Sequence, residues 1–389
     1  MITKVYNSAG GDAVDYSDLG TFASYLRGLT TDDLDDDLTV ALTVESGVHD
    51  AETMNFNGYT TSGLNLIVSG EVPLNGSGPG NGAVFRKSHT GSLFRIIDGY
   101  SLSSLRVENI EFDFVSSTRN YAAHAVEDLG YQQQVNKIIT FKNCRFLNLS
   151  GGPDHGNYVF RIDSRKFTGF DYTYTVNLEN LIFHDFDETT AGSNINRFGG
   201  REGTFNVNCK GLVVPEADAS FARDNTWGAD ATFFLNRKFE GCIFVGQEDQ
   251  HVNGPATHGV SAIDCISDNQ CWTNSGVYGY GPGNIDTSNV SDNITVNLSG
   301  EPAEGEVSFR SGQTGDFRLY DHSNNLAIGF AASSTLPSPD FEGNDRGISP
   351  FDLGAIELSI QSGGGEDFPP ESGGVALPLT FAYRININD

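Results

Sequence analysis

The chain predicts an all-β fold, a single-stranded right-handed parallel β-helix with a short N-terminal helical cap and a C-terminal extension. Three observations carry that expectation. A six-residue pattern, apolar at its first, fourth and sixth positions, recurs at residues 107–112, 141–146, 178–183, 209–214 and 239–244, with a worn copy at 263–266. Its third position is Asn109, Asn143, Asn180, Gly211 and Gly241, and falls at 265 in the worn copy, so the steps are 34, 37, 31, 30 and 24 residues. Polar insertions separate the copies. Repeats of roughly 20–40 residues with one or two short strands each mark a solenoid, whose units bury their apolar side only by stacking. Alternation puts positions one, four and six on the core side of a bent strand pair. Asn and Gly tolerate the left-handed backbone of such a bend, and stacked Asn side chains can form a hydrogen-bonded ladder.

Composition bounds the function. The chain has 389 residues, 46 of them glycine, and 38% hydrophobic content, so it builds a core but turns often. A net charge of -28 argues against nucleic acid or an anionic membrane as partner. No window holds 18 apolar residues, so membrane insertion is not expected. The start, Met1-Ile2-Thr3, carries no apolar signal segment, and export by a cleaved signal is not expected. The five cysteines are Cys144, Cys209, Cys242, Cys265 and Cys271. Their number is odd, no CxxC pair occurs, and three sit at apolar repeat positions. Reduced core cysteines are expected ahead of disulfides or a metal site.

In chain order, residues 1–37 read as a cap that closes the open edge of the first coil. Ser17 or Asp18 is the N-cap of a helix that places Leu19, Phe22 and Leu26 on one face and stops at Gly28. The run from Asp32 to Asp37 offers hard oxygen ligands for calcium, the one cofactor considered. It lacks the glycine and terminal Glu of an EF-hand loop, and a solvated acidic turn is the preferred reading. Residues 38–360 form the solenoid, with strands at 38–44 and 64–68, a glycine-rich loop at 76–82, a lead-in at 94–97, and last strands at 293–298 and 307–309. The insertions 116–134, 150–173, 185–204 and 215–230 are expected to emerge on one side as the working surface. A closing segment spans 316–357. A linker of Gly, Ser and Pro occupies 361–374. Residues 375–389 alternate like a strand that cannot be stable alone, and are expected to dock on the solenoid or on another subunit.

The closing segment carries a resemblance. Asp316-Phe317-Arg318-Leu319, then Asp340-Phe341-Glu342-Gly343 with Arg346, then Asp352-Leu353-Gly354-Ala355-Ile356-Glu357, resembles the end of many β-helix proteins of the pectin-lyase-like superfamily. The N-terminal order is similar to that of phage-associated members: Asp15-Tyr16-Ser17, the acidic turn, Val40-Ala41-Leu42, then Gly58-Tyr59-Thr60-Thr61. The resemblance implies a virion surface protein, a tail spike, fibre or particle decoration, with a structural and host-glycan-binding role. It further implies synthesis in the host cytoplasm, a homo-oligomer (a trimer by analogy), and contact with other virion proteins through residues 375–389. Because the same fold hosts lyases, hydrolases, epimerases and binders, a polysaccharide lyase or glycoside hydrolase is the first alternative and a bacterial surface adhesin the second. The non-enzymatic reading is preferred. Asp340, Arg346, Asp352 and Glu357 are expected to form ion pairs that pin the last coil.

Catalytic candidates follow from chemistry. A hydrolase needs two carboxylates. Asp185, Asp187 and Glu188 follow one strand, and Glu248 and Asp249 follow another two repeats later, roughly 10 Å away at about 4.8 Å per rung. A lyase needs a base and a cation; Arg161, Arg165 and Lys166 lie near Asp154, His155 and Asp163. With 51 acidic residues in the chain, chance supplies such pairs, so no set is singled out as catalytic. His184, His251 and His258 lack a tight ligand spacing, and no metal is expected there. Trp227, Trp272, Tyr278 and Tyr280 sit in polar loops. They are candidates for stacking on sugar rings, with loop packing the preferred role.

Overall fold

The structure is a computed structural model. It describes residues 1–29, 38–55, 64–87, 91–96, 102–114, 123–128, 136–148, 159–164, 173–184, 194–200, 202–214, 220–226, 232–245, 259–268, 285–332, 335–347 and 350–358. Met1–Leu358 form one compact unit and Ser359–Asp389 a second. The acidic run 32–37, the linker and the 375–389 strand lie outside the described residues.

Among the described residues the protein is all-β apart from one α-helix and a short 3-10 turn. Its parallel strands stack in three ladders that the chain visits in turn. The first ladder starts with Ile2–Tyr6, Thr39–Val44, Leu64–Gly70 and Leu102–Glu108, continues with Lys137–Lys142, Thr173–Glu179, Glu202–Lys210 and Thr232–Glu240, and ends with Gly259–Ser267 and Ile285–Ser291. The second runs from Gly47–Asp50 through Ala83–Arg86, Ile110–Asp113, Arg145–Leu147, Ile182–His184 and Val213–Val214 to Ile243–Phe244. Gly259–Ser267 pairs with both ladders and joins them into a 17-stranded sheet. The third is a separate six-stranded sheet: Met54–Asn55, Gly91–Ile96, Ala123–Asp128, Phe160–Ser164, Asn194–Gly200 and Ser220–Thr226.

Four of these third-ladder strands lie inside the stretches expected to be loop insertions. Their sequences are polar, as in Ser220-Phe-Ala-Arg-Asp-Asn-Thr, and give little apolar alternation. They form because the neighbouring coil presents a parallel edge in register.

The bends behave as the repeat predicts. Asn109, Asn143, Asn180, Gly211 and Gly241 all have left-handed backbone, with φ between 51° and 64°. Asn143 donates to Asn109 at 3.3 Å and Asn180 to Asn143 at 3.0 Å. Two corrections follow. The bend of the sixth copy is Asp264 (φ 53°), not residue 265, which places Cys265 in the core. A seventh copy bends at Asn289 (φ 52°), whose amide donates to Asp264 at 2.6 Å. These copies were obscured because their apolar positions are partly filled by Ala262 and Ser267 in the sixth and by Thr287 and Asp292 in the seventh.

Positions one, four and six line the inner core. Phe112, Phe146 and Phe183 stack at 5.0 and 5.2 Å between ring centres, and Phe85 meets Phe112 edge-on. Cys144, Cys209, Cys242 and Cys265 are free thiols in this core, and burial pushes the Cys144 thiol up to about 12. The helix Leu19–Gly28 buries Leu19, Phe22, Ala23 and Leu26, and the Asp18 side chain accepts from the Thr21 N–H as its N-cap. Ile2–Tyr6 pairs with Thr39–Val44, so the cap itself supplies the first rung of the first ladder.

Residues 294–358 turn back along the outside of the second ladder. A short sheet (Val296–Asn297, Val307–Ser311, Asp316–Leu319) and the loops after it lie against the outward side of that ladder. Position five of the repeat is therefore buried too. Ile182, Val213, Ile243 and Ile266 pack with Phe309, Phe317, Leu336, Phe341, Leu353 and Ile356 in a second core. Burying a Leu- or Ile-sized side chain contributes about 1.5–3 kcal/mol, so this flank is a major part of the fold.

Candidate recognition surface

The outward face of the first ladder presents a regular chemistry. In Lys137–Lys142 alternation sends Ile139 and Phe141 inward and Ile138, Thr140 and Lys142 outward. In-register pairing then stacks outward residues of successive coils into columns about 4.8 Å apart. One column holds Asn65, Ser104, Ile138, Thr175, Asn206 and Asn236. Ser104 donates to Asn65 at 2.6 Å and Asn236 to Asn206 at 3.0 Å, while Ile138 is 50% exposed. In the next column Asn208 donates to Asn177 at 3.0 Å and Asn177 to Thr140 at 3.3 Å. These side-chain bonds fix amide and hydroxyl groups in a flat repeating array.

The third column alternates in sign through five rungs: Glu108, Lys142, Glu179, Lys210, Glu240. Opposite charges on adjacent strands are favourable. The column is also the seam where the closing segment is attached. Lys142 donates to the Ser338 carbonyl at 3.3 Å, Lys210 to the Thr335 carbonyl at 3.1 Å, and Thr335 to Glu240 at 3.0 Å. Burial pushes the Glu240 carboxyl up, but Lys238, Lys210 and Thr335 outweigh it and hold it below the ordinary range.

Two buried cations clamp the flank. Arg145 and Glu111 occupy position five in the first two copies. They form a salt bridge of 3.2 Å with both side chains almost fully buried. Arg145 also donates to the carbonyls of Asn75 (2.8 Å) and Gly78, and its guanidinium lies 5.2 Å from the centre of the Phe341 ring. Glu111 accepts from the Gly80 N–H at 3.0 Å, so the glycine-rich loop is tied down as well. Burial pushes the Glu111 carboxyl up and the Arg145 guanidinium down.

The second clamp gathers Asp340, Arg346, Asp352 and Glu357. Arg346 donates to Glu357 at 2.9 Å, to the Gly354 carbonyl at 2.8 Å and to Asn180 at 3.2 Å. Asp340 accepts from the N–H groups of Glu342, Asn344 and Glu357; Asp352 accepts from those of Gly329 and Leu358. The group therefore fastens the returning segment to the middle of the stack, at Asn180, rather than pinning a final coil. The reason is that the apolar position-five stripe gives this segment a surface to cover. Burial, reinforced by Asp352, raises the Glu357 carboxyl to about 7, although Arg346 pulls it down.

Asp185, Asp187, Glu188, Glu248, Asp249, Trp227, Trp272, Tyr278, Tyr280, Arg165, Lys166, Asp154, His155, His251 and His258 lie outside the described residues. The strands preceding the two acidic groups, Ile182–His184 and Ile243–Phe244, are two rungs apart in the second ladder. His184 is buried, and its ring meets Phe317 edge-on at 5.2 Å. Arg161 and Asp163 lie on the third ladder. Among the described residues no group of three or more His, Cys, Asp or Glu is gathered to hold a metal ion, and no helix is long and apolar enough to cross a membrane.

The two clamps and the polar columns escape a reading by motif. One signal was present: position five is charged in the first two copies and apolar in the next four, which announces a stripe buried on its outer side. No family model, curated protein or solved structure matches this chain.

Proposed function

We propose that the chain is a right-handed parallel β-helix of the pectin-lyase-like, phage-associated type. It serves as a glycan-binding surface protein of a phage particle, as tail spike, fibre or decoration. The observation that carries the binding role is the outward face of the first ladder, where Ser, Thr and Asn side chains repeat at fixed spacing and are held by one another. A linear glycan presents hydroxyl groups along its length, and a rigid array of donors and acceptors meets it with little ordering cost. The sealed flank supports a passive scaffold. Glu111, Glu240, Asp340, Asp352 and Glu357 are all engaged in holding the segment at 294–358 and the loop before Ala83. The particle assignment rests on the resemblance of the cap and the closing segment.

The test combines a glycan array, reducing-sugar and unsaturated-product assays on the glycans bound, and the mass in solution. Binding without product, lost by about tenfold in Ile138→Asp at unchanged melting temperature, is the expected outcome. Product formation that disappears in Asp187→Asn or Glu248→Gln would replace the binder by an enzyme.

A further inference from the structure

Two of the buried thiols stand opposite each other. Glu240 pairs with Ile263 and Ile243 with Ile266, so Cys242 and Cys265 between them occupy the fourth position of adjacent copies. The Ile266 N–H donates to the Cys242 carbonyl at 2.9 Å, which fixes that register. Both side chains lie fully buried in the inner core. The Cys242 thiol is shared between the carbonyls of Glu240 at 3.4 Å and Cys209 at 3.7 Å. The Cys265 thiol reaches the Ile263 carbonyl at 3.3 Å, and the two thiols are hydrogen-bonded to each other. Neighbouring rungs are about 4.8 Å apart, within the Cα separation of roughly 4.4–6.8 Å that a disulfide spans.

The other cysteines are placed differently. Leu181 and Leu212 hold the fourth position in the two copies between Cys144 and Cys242. Cys144 is therefore three rungs away, roughly 14 Å. Cys209 is at the first position and faces Phe239 on the next rung. Cys271 lies outside the described residues. Access to the pair comes from the end of the stack. Cys265 is opposite Val290 in the strand Ile285–Ser291, where Val290 is partly exposed and Ser288 and Asn289 are exposed. Terminal units of a solenoid open more readily than its middle, and release of that one strand uncovers the Cys265 sulfur. Until it opens, burial holds the Cys265 thiol well above its usual range, protonated and unreactive.

We propose that Cys242 and Cys265 are an oxidisable pair, and that their disulfide locks the fifth and sixth copies of the repeat together beneath the closing segment. The oxidant is a low-molecular-weight disulfide. The Cys265 thiolate attacks one of its sulfurs, its S–S bond breaks, and the departing thiolate takes up the proton that Cys265 lost. The Cys242 thiolate then attacks the Cys265 sulfur of the mixed disulfide, and the second small thiol leaves with the proton from Cys242. Two protein thiols lose two electrons, and one small disulfide becomes two thiols. The lock bears on the closing segment because Ile243 and Ile266, the next residues after the two cysteines, are part of the second core on which it packs. The pair is independent of the glycan-binding reading.

The test incubates the full chain with oxidised glutathione below its melting temperature, alkylates the remaining thiols, and maps the linked peptides by mass spectrometry. The melting temperature is measured in parallel with and without dithiothreitol. A peptide joined through Cys242 and Cys265 is expected, lighter by two hydrogens than its reduced parts. The oxidised chain is expected to melt several degrees above the reduced one, because the cross-link restricts the unfolded chain. Dithiothreitol is expected to reverse both changes. Cys265→Ala is expected to abolish the link and the difference between oxidised and reduced melting, whatever its own stability, whereas Cys144→Ala and Cys271→Ser are expected to keep both. Absence of the link in the unaltered chain overturns the pair, as does a link from Cys265 to Cys209 or Cys271 in its place. A Cys242–Cys265 link that leaves the melting temperature unchanged or lower overturns the lock.

Discussion

Arg145 illustrates how a buried charge is retained. Its bridge to Glu111 is enclosed by the closing segment, and its two terminal nitrogens also donate to the carbonyls of Asn75 and Gly78. Removing one partner of such a pair leaves an uncompensated buried charge and costs about 3–5 kcal/mol. Arg145→Met is therefore expected to lower stability by that amount in denaturant unfolding, and Arg145→Met with Glu111→Leu to recover most of it. Glu357 behaves differently. Its folded carboxyl holds a proton up to about pH 7, whereas 4.5 is usual, so the folded state binds more proton between those values. Stability from this group falls as pH rises through that window. Glu357→Gln removes the dependence. Its melting temperature minus that of the unaltered chain is expected to climb from about pH 4.5 to 7 and then level off; a flat difference would contradict the burial of this carboxyl.

At the scale of the element, the bends decide between Asn and Gly for a reason outside the repeat. Asn109, Asn143 and Asn180 extend a ladder of side-chain amides. At Gly211 a Cβ would lie 2.7 Å from the Asn180 side-chain oxygen and 2.9 Å from the Gly354 carbonyl; at Gly241 it would meet Leu336 at 2.5 Å. At these two glycines the closing segment comes too close to the bend to leave room for a Cβ. Gly211→Asn is expected to destabilise the fold and loosen residues 335–358 in hydrogen exchange, although Asn serves the equivalent bend four times. An unchanged exchange pattern would show that the closing segment does not depend on that approach.

At the scale of the whole molecule, the stack is closed on its second-ladder side by residues 294–358. A chain ending at residue 298 would expose Ile182, Val213, Ile243 and Ile266 as an apolar stripe, and is expected to aggregate or melt far below the complete chain. Retention of full stability by the shorter chain would refute the second core.

The periodic signal in the sequence determined much of the first two ladders. Positions one, four and six are local to a strand pair, and their burial follows from alternation alone, as Val107, Ile110 and Phe112 show. The cap helix was legible for the same reason, since Asp18, Leu19, Phe22 and Leu26 act within ten residues. The acidic and aromatic site candidates were legible only as residue types. The third ladder, the path of the closing segment and the choice of Gly211 and Gly241 were decided by tertiary structure. Third-ladder strands such as Ser220–Thr226 are paired by the neighbouring coil rather than selected by their own apolar pattern. Arg346 meets Asn180 and Arg145 meets Asn75 across 166 and 70 residues. Contacts over such distances arise from the shape that the stack has already made, and no local pattern encodes them.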